Sequence, residues 1–177
     1  MTEKLEEGAK LEKGDVIRLD YELWIVSPDG KEELFDTTNE ELAKKEKIHD
    51  EKKVYESVPL IVGHDRALKG LDNSLLEANV GQERDVVIPP ADGAGERKPE
   101  LVELFSIREF VREHKDEEPR VGMEISRKGK RGIITGVAAG RIRVDFNHPL
   151  AGKTLKYRYK VVKRAETLDE KVRDIIH

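Results

Sequence analysis

From Val16 to Val26 the chain is a nearly unbroken run of β-favouring residues, with Val16, Ile17, Leu19, Tyr21, Leu23, Trp24, Ile25 and Val26 closed by Ser27-Pro28-Asp29-Gly30. Proline presets the backbone for a turn and Asp-Gly completes it, so the pattern predicts one long strand entering a hairpin. Far along the chain, Leu155, Tyr157, Tyr159 and Val161 alternate strictly with Lys156, Arg158 and Lys160. That period of two marks a strand with one buried face.

Between these runs the signals alternate in type. Thr38 precedes Glu41 by three residues, a capping-box spacing that predicts a short helix over Asn39 to Glu46. Val58-Pro59-Leu60-Ile61-Val62-Gly63 reads as a brief strand after a charged loop, His49 to Lys53. Leu71, Leu75, Leu76 and Ala78 lie near helical spacing, and Val86-Val87-Ile88 is a strand stopped by Pro89-Pro90. The order of strands and helices implies an α+β fold with an antiparallel sheet. Residues 1–13 show little periodicity and are expected to be a flexible lead or an irregular first strand.

A second texture begins near residues 95–98, where Gly93-Ala94-Gly95 and Pro99 precede Leu101-Val102-Glu103-Leu104-Phe105. Short strands at Met123–Ile125, Ile133–Val137 and Arg141–Phe146, joined by Lys128-Gly129 and Ala139-Gly140, predict a small all-β unit. Thr167 and Glu170 repeat the capping spacing ahead of Leu168, Val172, Ile175 and Ile176, predicting a C-terminal helix.

Composition narrows the classes. At 177 residues, set against about 150 per domain, the length implies one to two domains. Its 33 Lys and Arg against 37 Asp and Glu leave a net charge of −4, so no global positive field favours nucleic acid or anionic membrane. Charged residues reach 40 %, above the roughly 25 % of ordinary domains. Without cysteine there is no disulfide, thiolate zinc site or cysteine nucleophile. No apolar run approaches the roughly 18 residues of a membrane helix, and a cytoplasmic location is expected. The run Arg127-Lys128-Gly129-Lys130-Arg131 is read as a solvated hairpin tip rather than a phosphate clamp. The five histidines are scattered, and no metal or other cofactor is expected.

Three motifs carry a resemblance when taken together. They are Tyr21 with Pro28-Asp29-Gly30 and Phe35-Asp36-Thr37; Val62-Gly63-His64-Asp65-Arg66-Ala67-Leu68-Lys69-Gly70-Leu71-Asp72 with Val80-Gly81; and Asn147-His148-Pro149-Leu150-Ala151-Gly152-Lys153-Thr154-Leu155. In these the chain resembles the FKBP-type peptidyl-prolyl isomerases, in particular the SlyD-like branch of bacteria and archaea, whose core is interrupted by an inserted IF (insert-in-flap) domain. The third motif is long and specific, and the first two gain meaning beside it. The resemblance implies an isomerase core over residues 1–96 and 149–165, an inserted chaperone domain over 97–148 and a terminal helix over 166–177.

It also implies site residues. Tyr21, Phe35 and Asp36 match the first motif, with Phe35 as apolar wall and Asp36 orienting polar groups near the prolyl ring. Ala67 and Leu68 match the pair whose backbone meets the substrate, Leu71 the pocket floor, and Tyr157 an aromatic on the last strand. Leu101, Leu104, Phe105, Phe110, Met123 and Ile125 are divided between the inserted domain's core and a surface for unfolded chains. The implied activity is prolyl isomerisation with chaperone capture of unfolded, proline-containing polypeptides, by a monomer that uses no cofactor. Ala94 stands where the family commonly has a tyrosine, so the alternative is a holding chaperone with weak or no isomerase activity. His148 is expected to be structural.

Overall fold

The uninterrupted β run becomes one uninterrupted strand. In chain order the elements are β1 (Val16–Val26), β2 (Glu32–Thr37), α1 (Glu40–Lys45), β3 (Val58–Ile61), α2 (Lys69–Leu75), β4 (Glu83–Ile88), β5 (Val102–Ser106), α3 (Ile107–Glu113), β6 (Glu124–Arg127), β7 (Lys130–Ala138), β8 (Arg141–Asp145) and β9 (Thr154–Arg164). This computed structural model describes residues 8–64 and 68–165. The fold is α+β, as its alternating signals imply. The chain divides into two compact units, one built from the residues up to Gly95 with those from Gly152 onward, the other from Glu96–Ala151.

The first unit is organised by β1. Along one edge it pairs with β3 through its first half and with β2 through its second; along the other it pairs with β9 nearly from end to end, and β9 pairs with β4. All these pairings are antiparallel. Because side chains alternate across a strand, Ile17, Leu19 and Leu23 of β1 and Leu155, Tyr157, Tyr159 and Val161 of β9 are buried. The opposite face is charged. Arg158 donates to both oxygens of Asp85, at 3.0 and 3.2 Å, and Lys156 to Glu32 at 2.9 Å. The Arg158 hydrogen bonds outweigh burial and hold the Asp85 carboxyl below the usual range.

Helix α2 contributes Leu71 and Leu75 to the interior, and a hydrogen bond of 2.6 Å joins the Ser74 and Tyr159 hydroxyls. This satisfies both polar tips inside the core. Of the expected lead, residues 1–7 lie outside the described residues, and the described part is fastened: Gly8 and Leu11 donate backbone hydrogen bonds to Val80 and Ala78, and Leu11 is buried. Helix α1 forms as expected, but Asn39 caps it by accepting from the Leu42 amide at 3.1 Å. Thr38 is not the cap, because its hydroxyl accepts from the Tyr21 amide at 3.0 Å.

The second unit is a four-stranded antiparallel sheet in the order β5-β8-β7-β6, with a helix that the all-β expectation omitted. Ser106 and Glu109 form a full capping box at the start of α3. The helix seats Phe110 among Phe105, Ile125, Ile134, Ile142 and Val144, with Met123, Ile107 and Phe146 packed around them. The tight turns at Lys128-Gly129 and Ala139-Gly140 place both central residues at positive φ, matching the twist of the strands they join. At the open end of the sheet, Arg97 donates to Asp145 at 2.7 and 3.0 Å, and the Asn147 side chain both accepts from the Lys98 amide and donates to its carbonyl. His148 does turn chemistry: its Nδ1 accepts from the Leu150 amide at 3.1 Å. The expected C-terminal helix over 166–177 lies outside the described residues. No helix among the described residues is long and apolar enough to cross a membrane.

One close approach sets the seat of α2. A Cβ added at Gly70 would stand 2.8 Å from Cγ2 of the fully buried Ile88. Alanine normally gains about 1 kcal/mol over glycine within a helix, but overpacking costs about 1–3 kcal/mol. Gly70→Ala is therefore expected to lower the urea midpoint, and a higher midpoint would show that Ile88 can yield.

Candidate functional site

The site begins with an irregularity in β2. Leu23 pairs with Asp36 and Trp24 with Leu34, so Phe35 is an extra residue on β2, a β-bulge. A bulge re-aims the side chains around it and is frequent beside functional sites. Here Leu34 and Thr37 are buried while Phe35, although a large aromatic, is 42 % exposed. Asp36, held against β1, accepts a 2.6 Å hydrogen bond at Oδ2 from the Tyr21 hydroxyl and another at Oδ1 from the Thr37 amide. The Lys53 ammonium is paired with the same Oδ1 and donates to the Thr37 carbonyl at 2.9 Å.

Across the strand pair, the Tyr157 ring lies 5.8 Å from that of Tyr21 with the planes inclined at 55°. This is a tilted aromatic contact of the favoured kind. Leu71 lies three residues before Ser74, on the α2 face that meets Tyr159, and is buried. Leu68 is the residue from which α2 starts; its carbonyl accepts from the Asp72 amide at 3.0 Å. Thus Tyr21 bonds Asp36 and meets Tyr157, Phe35 adjoins Asp36 in sequence, and Leu71 and Leu68 come from the helix whose Ser74 bonds Tyr159 of β9. Ala67 lies outside the described residues.

Electrostatically this is a guarded site. Burial first, then the hydrogen bond to Asp36 and its negative charge, hold the Tyr21 phenol well above its ordinary ionisation range. Burial, with the Asp36 charge second, pushes Tyr157 up to about 12. Both phenols stay neutral, and Asp36 accepts from a hydroxyl, an amide and an ammonium. Nothing in the group is arranged as a nucleophile with its base. A groove of about 380 Å³ shares Tyr21 with this group and is otherwise lined mainly by Asp20, Glu22, Glu83, Arg158 and Lys160. Its walls are the ion pairs of the charged sheet face, which suits it poorly to an apolar ligand.

In the second unit the six residues expected to divide between core and surface separate. Phe105, Phe110 and Ile125 are interior, so they hold the unit together and are withdrawn from the surface reading. Met123 and Leu101 are partly covered, and Leu104 is 57 % exposed on edge strand β5. Val111, Val121 and Ile133 are further exposed apolar residues that the sequence reading did not single out. The basic hairpin is less free than its sequence suggests. Arg127 lies over the Phe105 ring at 4.2 Å, with Glu109 and Glu113 carboxylates at 3.6 and 3.5 Å.

Lys53 is the site residue that pattern reading missed. It sits in a charged loop, seventeen positions from the carboxylate it pairs with, and no spacing rule links the two.

Comparison with known proteins bears on the whole arrangement. Residues 7–107 match the family model described as FKBP-type peptidyl-prolyl cis-trans isomerase, and residues 103–150 match that of the FKBP26 IF domain. β9, with Tyr157, follows both matched segments. A short-type peptidyl-prolyl cis-trans isomerase of Methanocaldococcus jannaschii is 37 % identical over 151 residues, covering 85 % of this chain and 92 % of that protein. SlyD of Treponema pallidum, an FKBP-type peptidyl-prolyl cis-trans isomerase, is 30 % identical over 131 residues and 70 % of each chain. The SlyD of Helicobacter pylori is 28 % identical over 123 residues, 66 % of this chain and 64 % of its own length.

The raised phenols set a pH dependence with a definite sign. A free phenol ionises near pH 10, whereas Tyr157 ionises in the folded chain at about 12. Its contribution to stability is complete below pH 10 and is lost as pH rises toward 12, because only the unfolded state then releases the proton. Denaturation midpoints measured from pH 9 to 12 should fall less steeply for Tyr157→Phe than for the unaltered chain; equal slopes would contradict the assignment.

Proposed function

The chain belongs to the FKBP-type peptidyl-prolyl cis-trans isomerases, and from that premise we propose that Tyr21, Phe35, Asp36, Leu68, Leu71 and Tyr157, with Ala67, frame its prolyl site, and that residues 96–151 capture the unfolded polypeptide on which it acts. The observation that carries this reading is the half-exposed Phe35 on its bulge, beside a carboxylate held by a phenol, an amide and an ammonium.

Rotation about an X-Pro bond is opposed by amide resonance, with a barrier of about 18–20 kcal/mol. No proton transfer or covalent intermediate is required. In the planar amide the carbonyl oxygen carries more negative charge and binds water more strongly than in the twisted one. A wall that removes that water therefore disfavours the planar state relative to the twisted state, which is differential binding of the transition state. Phe35 and the two tyrosine rings supply apolar surface, and Leu71 the floor behind them. Asp36 fixes Tyr21, and the backbone at Ala67 and Leu68 aligns the substrate chain.

Capture by the second unit rests on its exposed apolar residues, Leu104 first among them, and on its match to the IF domain. Holding a client there raises the local concentration of X-Pro bonds to as much as roughly millimolar, so slow isomerisations in a refolding chain are served ahead of free peptides. The working form in this reading is a cytoplasmic monomer without cofactor, acting on unfolded, proline-containing polypeptides and not on nucleic acid. Isomerase activity is preferred to holding alone, because Ala94 leaves the Tyr21, Asp36 and Tyr157 group intact.

Two measurements test the division of labour. Covering what remains exposed of Phe35 contributes on the order of 1 kcal/mol, so Phe35→Ala should lower kcat/KM for a fluorescent X-Pro tetrapeptide by about fivefold. Wild-type activity in that variant would remove Phe35 from the site. Leu104→Asp should leave the tetrapeptide rate unchanged and slow the catalysed refolding of a proline-limited client; equal loss in both assays would refute separate roles.

A further inference from the structure

We propose that Lys53 is a positioning residue for isomerisation, presented by a braced loop so that it neutralises Asp36 and thereby fixes the Tyr21 hydroxyl at the edge of the prolyl site. The inference rests on the site assignment above and goes beyond it, because Lys53 lies in none of the motifs that carry the resemblance.

A lysine side chain is among those that lose most rotamer entropy when fixed, so a lysine held in one place needs a reason to stay there. The loop from residue 46 to 57 provides it. At its start, His49 reaches Glu40 of α1 at 3.2 Å and stacks on Tyr55, with ring centroids 5.3 Å apart and planes at 11°. The Tyr55 hydroxyl accepts from the Asp50 amide at 3.0 Å. Asp50 in turn accepts from the Lys52 amide through its side chain and from the Lys53 amide through its carbonyl, closing a tight turn. At the loop's end, Ser57 donates to Asp20 at 2.6 Å and its carbonyl accepts from Arg18 at 2.8 Å.

This frame delivers the Lys53 ammonium to two acceptors at once, the Asp36 carboxylate and the Thr37 carbonyl, and brings it within 5.2 Å of the Tyr55 ring centre. The ring face adds a further attraction for the cation. Without the ammonium, Asp36 would remain a partly buried anion with capacity to spare. Such a group recruits water, and it lies beside a site whose action depends on excluding water from the prolyl carbonyl. It would also be free to turn away from Tyr21, releasing the ring that Tyr157 contacts. Lys53 therefore acts through Asp36 and does not itself touch the reacting amide.

The test is a double-mutant cycle on the full chain, read as tetrapeptide kcat/KM alongside the melting temperature. K53M is expected to lose about tenfold, and K53R to retain most of the activity. The K53M/D36N pair should be no worse than the poorer single variant, because the two residues act as one unit. Wild-type kcat/KM in K53M, additive losses in the pair, or an equal loss in K53R would overturn the proposal. If K53M does not fold, K53Q carries the same test: it keeps a donor without the charge, and undiminished activity there overturns the role. Failure of the site assignment is distinguishable. In that case Phe35→Ala keeps its rate, or the unaltered chain is inactive, and this inference falls with the assignment; Phe35→Ala losing rate while K53M keeps it removes Lys53 alone.

Discussion

The larger unit depends on the pairing of β1 with β9. β1 is the strand to which β2, β3 and β9 all bond, and β9 alone connects β4 to the sheet. Yet β9 follows residues 96–151 in the chain, so the sheet cannot close until the polypeptide has returned from them. Loop-closure entropy grows only logarithmically, at about 0.6 kcal/mol for each doubling of length. The insertion reduces even that. Arg97 with Asp145, and Lys98 with Asn147, tie the two ends of the inserted unit together, while Gly152 donates to the Gly95 carbonyl where the first unit resumes. A chain segment that folds with its ends clasped behaves toward the sheet as a short connection. Asp145 shows the same economy of groups: burial opposes its charge, but hydrogen bonds from Asn147 and Arg97 prevail and keep its carboxyl below the usual range.

What could be read in advance follows from how far each signal travels along the chain. β1 and β9 were legible because alternation and turn chemistry are local, and the Asn147-to-Leu155 motif was legible because it is long. Helix α3 escaped for the opposite reason. It fully buries one side chain, Phe110, so it has almost no periodicity, although Ser106 and Glu109 stand at the very spacing applied elsewhere. At α1 that spacing misassigned the cap, since Thr38 had been claimed by β1, a tertiary contact no window contains. Phe105, Phe110 and Ile125 could be recognised as apolar from sequence, but only the sheet shows that they face inward. Tyr21, Phe35, Asp36 and Tyr157 came from family resemblance; composition by itself would have left them as core.

In the proposed prolyl site, the bulge at Phe35 and the pairing of Lys53 with Asp36 answer a single physical problem. A site that works by removing water must offer apolar surface, which a folded chain would rather bury. Strict alternation along β2 would place successive residues on opposite faces, and the extra residue breaks that rule over one step. The next buried position after Leu34 is thereby moved from Asp36 to Thr37, and Phe35 and Asp36 together stand between them, exposed and half-buried. The same step brings Asp36 into the wall. An unpaired carboxylate there would hold water in place, and a neutral residue would leave the Tyr21 hydroxyl without its partner. A carboxylate shared among a phenol, an amide and an ammonium avoids both faults: it orders the aromatic wall by directional bonds, and its charge is balanced before substrate arrives. On the proposed site assignment, the cost of exposing Phe35 is confined to one ring, and a bound prolyl segment would recover it.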